Sequence, residues 1–200
     1  MRYIHSYSSL FRLLVFSLLI SAFLICSFML NYCHAQVTTD ITSDGTMGTT
    51  VTQSGNTYNI TDGTLKTNNL FHSFGLFSVG EGDTASFNGP AGIANILSRV
   101  TGGLRSDIYG TLKSTIAGAN LFLFNPYGVV FGPNARLNVT GSFHVSTADY
   151  LQLGGGDGVQ FNAIPGPQDA LLTSAPVTAF GFLGDNPAKI SINQSTLEVT

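Results

Sequence analysis

Corners fall so close together in residues 121–143 that few architectures can accept them. The run opens with the apolar segment Leu121-Phe122-Leu123-Phe124 and turns at Asn125-Pro126-Tyr127-Gly128. Asn first, Pro second and Gly fourth is the chemistry of a type I turn: a side chain that caps, a ring that presets φ, and an unhindered exit. Val129-Val130-Phe131 follows, then a second corner at Gly132-Pro133-Asn134, the apolar Leu137 and Val139, and a third corner at Thr140-Gly141. The strands left between corners have about three to five residues, shorter than the usual mode. Short strands with a corner after each are what the coils of a parallel β-helix require.

The design recurs. Ile60-Thr61-Asp62-Gly63-Thr64-Leu65, Ile108-Tyr109-Gly110-Thr111-Leu112 and Val139-Thr140-Gly141-Ser142-Phe143 each place an apolar residue, a glycine corner, a hydroxyl residue and another apolar residue in order. A unit that cannot bury a face alone stacks on its copies, with coils about 4.8 Å apart. The expected fold is therefore all-β, a right-handed parallel β-helix (solenoid) with an N-terminal cap and extra-helical strands or loops. Leu65, Ile108, Leu112, Leu137 and Phe143 are expected to line its axis. The first coil needs a cover against edge pairing, and residues 36–58 supply the cap; their Thr-rich start offers little besides Val37 and Ile41 to bury. Residues 154–178 read as loop-rich, from Gly154-Gly155-Gly156-Asp157-Gly158 and Ile164-Pro165-Gly166-Pro167. Residues 190–199 alternate like a fresh strand with no polar cap behind it, so the chain is expected to be the front of a longer protein.

Residues 1–35 read as an export signal preceding a domain over residues 36–200. Arg2 and Arg12 come before an apolar run at residues 13–30, whose eighteen residues lie at the lower edge of a bilayer span, so an uncleaved anchor competes with a cleaved signal. Cys33-His34-Ala35 puts small residues at the positions a signal peptidase reads, and a polar chain begins at once, which favours cleavage between Ala35 and Gln36. Cleavage removes Cys26 and Cys33, leaving no thiol for disulfides, zinc or nucleophilic catalysis. Six basic residues remain (Lys66, Arg99, Arg105, Lys113, Arg136, Lys189) against eleven acidic ones, which argues against nucleic acid as a partner. Charged residues make up only 10% of the chain, but its 15 Phe and 7 Tyr argue against disorder.

Catalytic readings find little support. His72 and His144 each sit in an apolar-aromatic strand-like segment, where packing or a surface hydrogen bond is the simpler role. Asp44, Asp62 and Asp157 each precede Gly, which is turn chemistry rather than the paired carboxylates of glycoside cleavage. Gly154-Gly155-Gly156-Asp157-Gly158 is one partial copy of a calcium-binding repeat that needs stacked copies. The sequons at Asn59, Asn138 and Asn193 read as ladder or corner residues, because Asn and Thr are abundant and the export pattern reads as bacterial. No cofactor, metal or catalytic site is expected.

Three blocks in order resemble a known family. They are Asn69-Leu70-Phe71-His72-Ser73-Phe74, then Asn95-Ile96-Leu97-Ser98-Arg99-Val100-Thr101-Gly102-Gly103, then residues 119–128 running through Gly141-Ser142-Phe143. Together they resemble the N-terminal secretion domain of two-partner-secreted exoproteins, of which filamentous haemagglutinin is the namesake. The family's Asn-Pro-Asn-Gly stands here with Tyr127 in third place, a position a type I turn leaves open to most residues.

The resemblance implies a secretion signal on a large exported adhesin, recognised in the periplasm by the transport-associated domains of a partner outer-membrane β-barrel transporter. It also implies folding of the β-helix outside the cell and a secreted or cell-surface location in a Gram-negative-type bacterium. Host-cell or surface glycans would be reached through downstream cargo. Asn69, Phe71, Asn95, Arg99, Asn125, Pro126 and Gly128 are carried from the blocks as the recognition and secretion residues. For Asn125, Pro126 and Gly128 a purely structural corner role competes equally, and an ion pair with Asp107 is the plain alternative for Arg99. A stand-alone adhesive or glycan-binding module is the alternative function, with a polysaccharide-active enzyme on the same scaffold behind it.

Overall fold

The computed structural model describes residue 12, residues 14–18 and 20–21, and residues 36–156, 158–195 and 197–199. The chain divides into two units, Met1–Gln36 and Val37–Thr200. In the first, residues 12, 14–18, 20 and 21 are helical. No described helix is long and apolar enough to cross a membrane. The rest of the predicted export segment, with Cys26, Cys33 and the cleavage residue Ala35, lies outside the described residues.

The second unit is almost wholly strand. Entry strands β1 (Asp40–Ser43), β2 (Thr49–Ser54), β3 (Thr57–Asp62) and β4 (Thr64–Lys66) lead into a first coil of β5 (Asn69–Ser78) and β6 (Thr84–Phe87). A second coil follows as β7 (Asn95–Val100), β8 (Ser106–Ile108) and β9 (Thr111–Ser114), and a third as β10 (Asn120–Phe124), β11 (Val129–Phe131) and β12 (Arg136–Asn138). Then come β13 (Phe143–Ser146), β14 (Tyr150–Leu153), β15 (Val159–Asn162), a 3₁₀ turn at Pro167–Leu171, β16 (Val177–Gly181) and β17 (Ile190–Ile192). Three parallel ladders stack the coils: β5-β7-β10-β13, β3-β6-β9-β12 and β8-β11-β17. This is the expected parallel β-helix, about three turns long.

Strand alternation decides what fills it. Leu70 and Phe74 of β5, Ile96 and Val100 of β7, and Leu121 and Leu123 of β10 point inward, where they pack with Ile60, Phe87, Ile108, Leu112, Val129, Phe131 and Val139. Each fully buried side chain of this kind contributes about 1.5–3 kcal/mol. Ile108, Leu112 and Leu137 line the axis as expected, and Phe143 packs there half-buried. Leu65 does not: it is 48% exposed. The reason is that β4 and β5 form an antiparallel hairpin over Thr67-Asn68, with Thr67 at φ +53°, so the corner shared with the true coils opens a different element here.

Both β4 and β1 lie antiparallel along the one edge of β5 that β7 leaves free. Met47, which the sequence pattern did not single out, is buried beside Phe71. Residues 154–178 hold more order than their glycines and prolines suggest, because β15 and β16 both pair with β14 in a separate antiparallel sheet, β15-β14-β16. Among the described residues of the alternating stretch 190–199, only Ile190–Ile192 form a strand, laid parallel on β11.

Candidate functional site

The outward-facing residues of the first ladder meet in rows, because the parallel register aligns them coil by coil. One row is Asn69, Asn95 and Asn120; the next is Phe71, Leu97, Phe122 and His144; the third is Ser73, Arg99, Phe124 and Ser146. Carboxamides stacked at strand spacing pair head to tail. Asn120 Nδ2 donates to Asn95 Oδ1 at 3.0 Å, and Asn95 Nδ2 to Asn69 Oδ1 at 2.9 Å. The ladder is closed at both ends: Ser142 N donates to Asn120 Oδ1 at 2.9 Å, and Asn69 Nδ2 donates to the carbonyls of Thr173 and Ala175 at 3.1 and 2.8 Å.

Beside the asparagines, Phe71 and Phe124 pack edge-on against Phe161 of β15, with centroids 5.0 and 5.6 Å apart. Leu97, Leu151, Leu153 and Leu172 complete this outer cluster, which the separate sheet covers. His144, at the end of the row, stacks on Phe122 at 4.2 Å, and burial lowers its pKa from the ordinary value.

Arg99 lies at the centre of the face, fully buried, and all five of its N–H groups are used. Nε donates to Ser73 Oγ at 2.7 Å; Nη1 donates to the Asn162 carbonyl at 2.7 Å and Asp169 Oδ1 at 2.9 Å; Nη2 donates to Thr46 Oγ1 at 3.0 Å and Asp169 Oδ2 at 2.7 Å. Its guanidinium carbon stands 4.7 Å from the centre of the Phe161 ring. The alternative pairing with Asp107 does not form: Asp107 takes Arg105, two residues away, at 3.0 Å. Ser73 relays the network by donating to Asp44 Oδ2 at 2.6 Å, where Thr101 also donates at 3.0 Å. Burial by itself would raise the Asp44 carboxyl, but hydrogen bonds from Ser73, Thr46 and Thr101 outweigh it and hold its pKa below the ordinary value.

The corner at Asn125 is a closed turn. Gly128 N donates to the Asn125 carbonyl at 3.0 Å and Tyr127 N to Asn125 Oδ1 at 2.9 Å, while Asn125 Nδ2 reaches back to the Leu104 carbonyl and Ser106 Oγ in the coil below. Asn125 is fully buried, Pro126 half-buried, and Tyr127 is 53% exposed. Gly128 sits at φ +110°, where a Cβ would lie 3.1 Å from the Lys189 carbonyl. Pro126 and Tyr127 border a cavity of about 110 Å³ with Asp149, Ile164 and Leu183.

Of the residues carried from the sequence, Asn69 and Asn95 thus form the ladder, Phe71 and Arg99 the covered face, and Asn125, Pro126 and Gly128 the corner. Sequence reasoning missed Asn120 as the third rung, although its spacing of 25 residues from Asn95 nearly repeats the 26 between Asn69 and Asn95. It also missed Asp44, Thr46, Phe161 and Asp169, whose segments carry no coil period. Among the described residues no three His, Cys, Asp or Glu side chains are grouped as metal ligands. Comparison with curated proteins gives no match. The family model of the TPS secretion domain matches residues 39–199. That match takes in the coils, the ladder, the covered face and the corner, and by it the chain belongs to the TPS secretion domain family.

Proposed function

We propose that the domain is the secretion signal of a longer exported protein, read by the periplasmic domains of a partner outer-membrane β-barrel before the chain has folded, and that it seeds the β-helix outside the cell. Membership of the family supplies the role in two-partner secretion. The burial of the block residues supports the order of events. Asn69, Phe71, Arg99 and Asn125 are fully buried in the folded domain, so a partner that reads these side chains meets them on an unclosed chain. Extended segments present both backbone groups and alternate side chains, which is what strand addition to a partner sheet uses. In this reading residues 1–35 are the leader, cleaved between Ala35 and Gln36, and later coils add to the free edges of β12, β13 and β17.

The test is secretion of the chain with and without its barrel, beside Asn125→Ala and Arg99→Ala, together with pull-down of each by the periplasmic domains in denaturant-relaxed and folded states. Release to the medium only with the barrel, and capture only of the relaxed chain, are expected. Capture of the folded domain with equal affinity would overturn the order proposed. Export without the barrel would overturn the role itself.

A further inference from the structure

The separate sheet is held to the coils in an unusual way. Every strand of the coil stack is hydrogen-bonded through its backbone to a strand of the neighbouring coil. The β15-β14-β16 sheet and the 3₁₀ turn, by contrast, make backbone hydrogen bonds only among themselves among the described residues: Asp149 N to Gly181, Gly154 N to Pro176, Ala163 N to Asp149, and Asp169 N to Gly166. The base of this unit is tied to itself, with Leu183 N donating to Asp149 Oδ2 at 2.7 Å. Its polar attachment to the coils comes from two coil side chains, Asn69 on the Thr173 and Ala175 carbonyls and Arg99 on Asn162 and Asp169. The rest is apolar contact across the outer cluster, a different cluster from the one that fills the coils.

We infer that the β15-β14-β16 sheet and the 3₁₀ turn form a lid that opens as one unit while the coils stay intact, latched by the Arg99–Asp169 pair. Cooperative units of a native protein open at a free energy set by the contacts each must break. Opening this one breaks no ladder. It returns Arg99 to water and frees the Asn69 carboxamide, and it bares Phe71, Leu97, Phe122 and Phe124. A buried guanidinium is stable covered only when its partner carboxylate covers it, so the pair fixes the one register in which the lid closes. The residues exposed by opening are those of the family blocks. Any use of the open state by the transporter rests on the function proposed above, but the opening itself does not.

Native-state hydrogen exchange on the full chain, with low denaturant added in steps, tests the lid without the transporter. The amides of β14, β15 and β16 are expected to exchange through one shared opening, at least tenfold faster than those of β5, β7 and β10. Asp169→Asn, which keeps the shape and removes the charge, is expected to speed lid exchange a further tenfold or more and leave the β7 and β10 amides unchanged. Exchange of lid and coil amides through a single common opening in the native chain overturns the inference. So does a variant that accelerates both groups equally. The native-chain result decides even if the variant does not fold.

Discussion

Acid should loosen this domain chiefly through one residue. His72 points inward from β5, fully buried, with Phe74 at 6.1 Å and Phe87 at 5.7 Å between ring centroids. Its Nδ1 meets Thr49 Oγ1 at 3.2 Å, and among the described residues its Nε2 has no partner. Protonation would put a charge in an apolar core, so burial lowers the pKa to about 4, with the Asp62 charge opposing. The ordinary value is 6.5, and the depressed folded value favours the neutral ring. Stability from this source is complete above pH 6.5 and is lost as pH falls toward 4. The linkage relation gives a loss of about 2 kcal/mol by pH 5 and about 3 kcal/mol by pH 4. Urea unfolding of the native chain and His72→Phe, at pH steps from 7.5 to 4, separates this residue from the rest. His144 titrates in both proteins, and the low pKa of Asp44 places its contribution below the window. The native curve should fall relative to the variant by that amount. Parallel curves would refute the reasoning.

Asn95→Asp faces the Asn69 acceptor with another acceptor, and should cost about 1–3 kcal/mol, read as a lower urea midpoint at neutral pH. Gly128→Ala combines φ +110° with a Cβ 3.1 Å from the Lys189 carbonyl. It should cost about 1–3 kcal/mol and loosen β17 first, visible as faster amide exchange at Ile190 and Ile192. Phe161→Ala removes the ring that meets Phe71, Phe124 and Arg99 together. Thermal unfolding should show a loss of about 3–5 kcal/mol.

The corners were legible because turn chemistry is local: Asn125, Pro126 and Gly128 dictate their bend whatever surrounds them. The coil core was legible at Ile108, Leu112 and Leu137, where a repeated corner reports a repeated coil. The same corner misled at Leu65, since a pattern of alternation says that a residue changes face but not which strand edge its segment joins. The Arg99 pairing was not legible at all. Asp169 lies 70 residues away, in a stretch of glycine and proline without period, and the one ionic alternative that the sequence offered was the nearby Asp107. What the chain encodes locally it shows plainly; the covered face is a long-range product of stacking.

The antiparallel strands on the front edge of β5 give the stack a direction. With β1 and β4 occupying that edge, no parallel strand can add to the front of β5, whereas among the described residues β12, β13 and β17 each pair on one side only. Under the seeding role proposed above, the domain would, in the vocabulary of filaments, have one blocked end and one growing end. Elongation from it would be unidirectional, and two such seeds would not anneal front to front through β5.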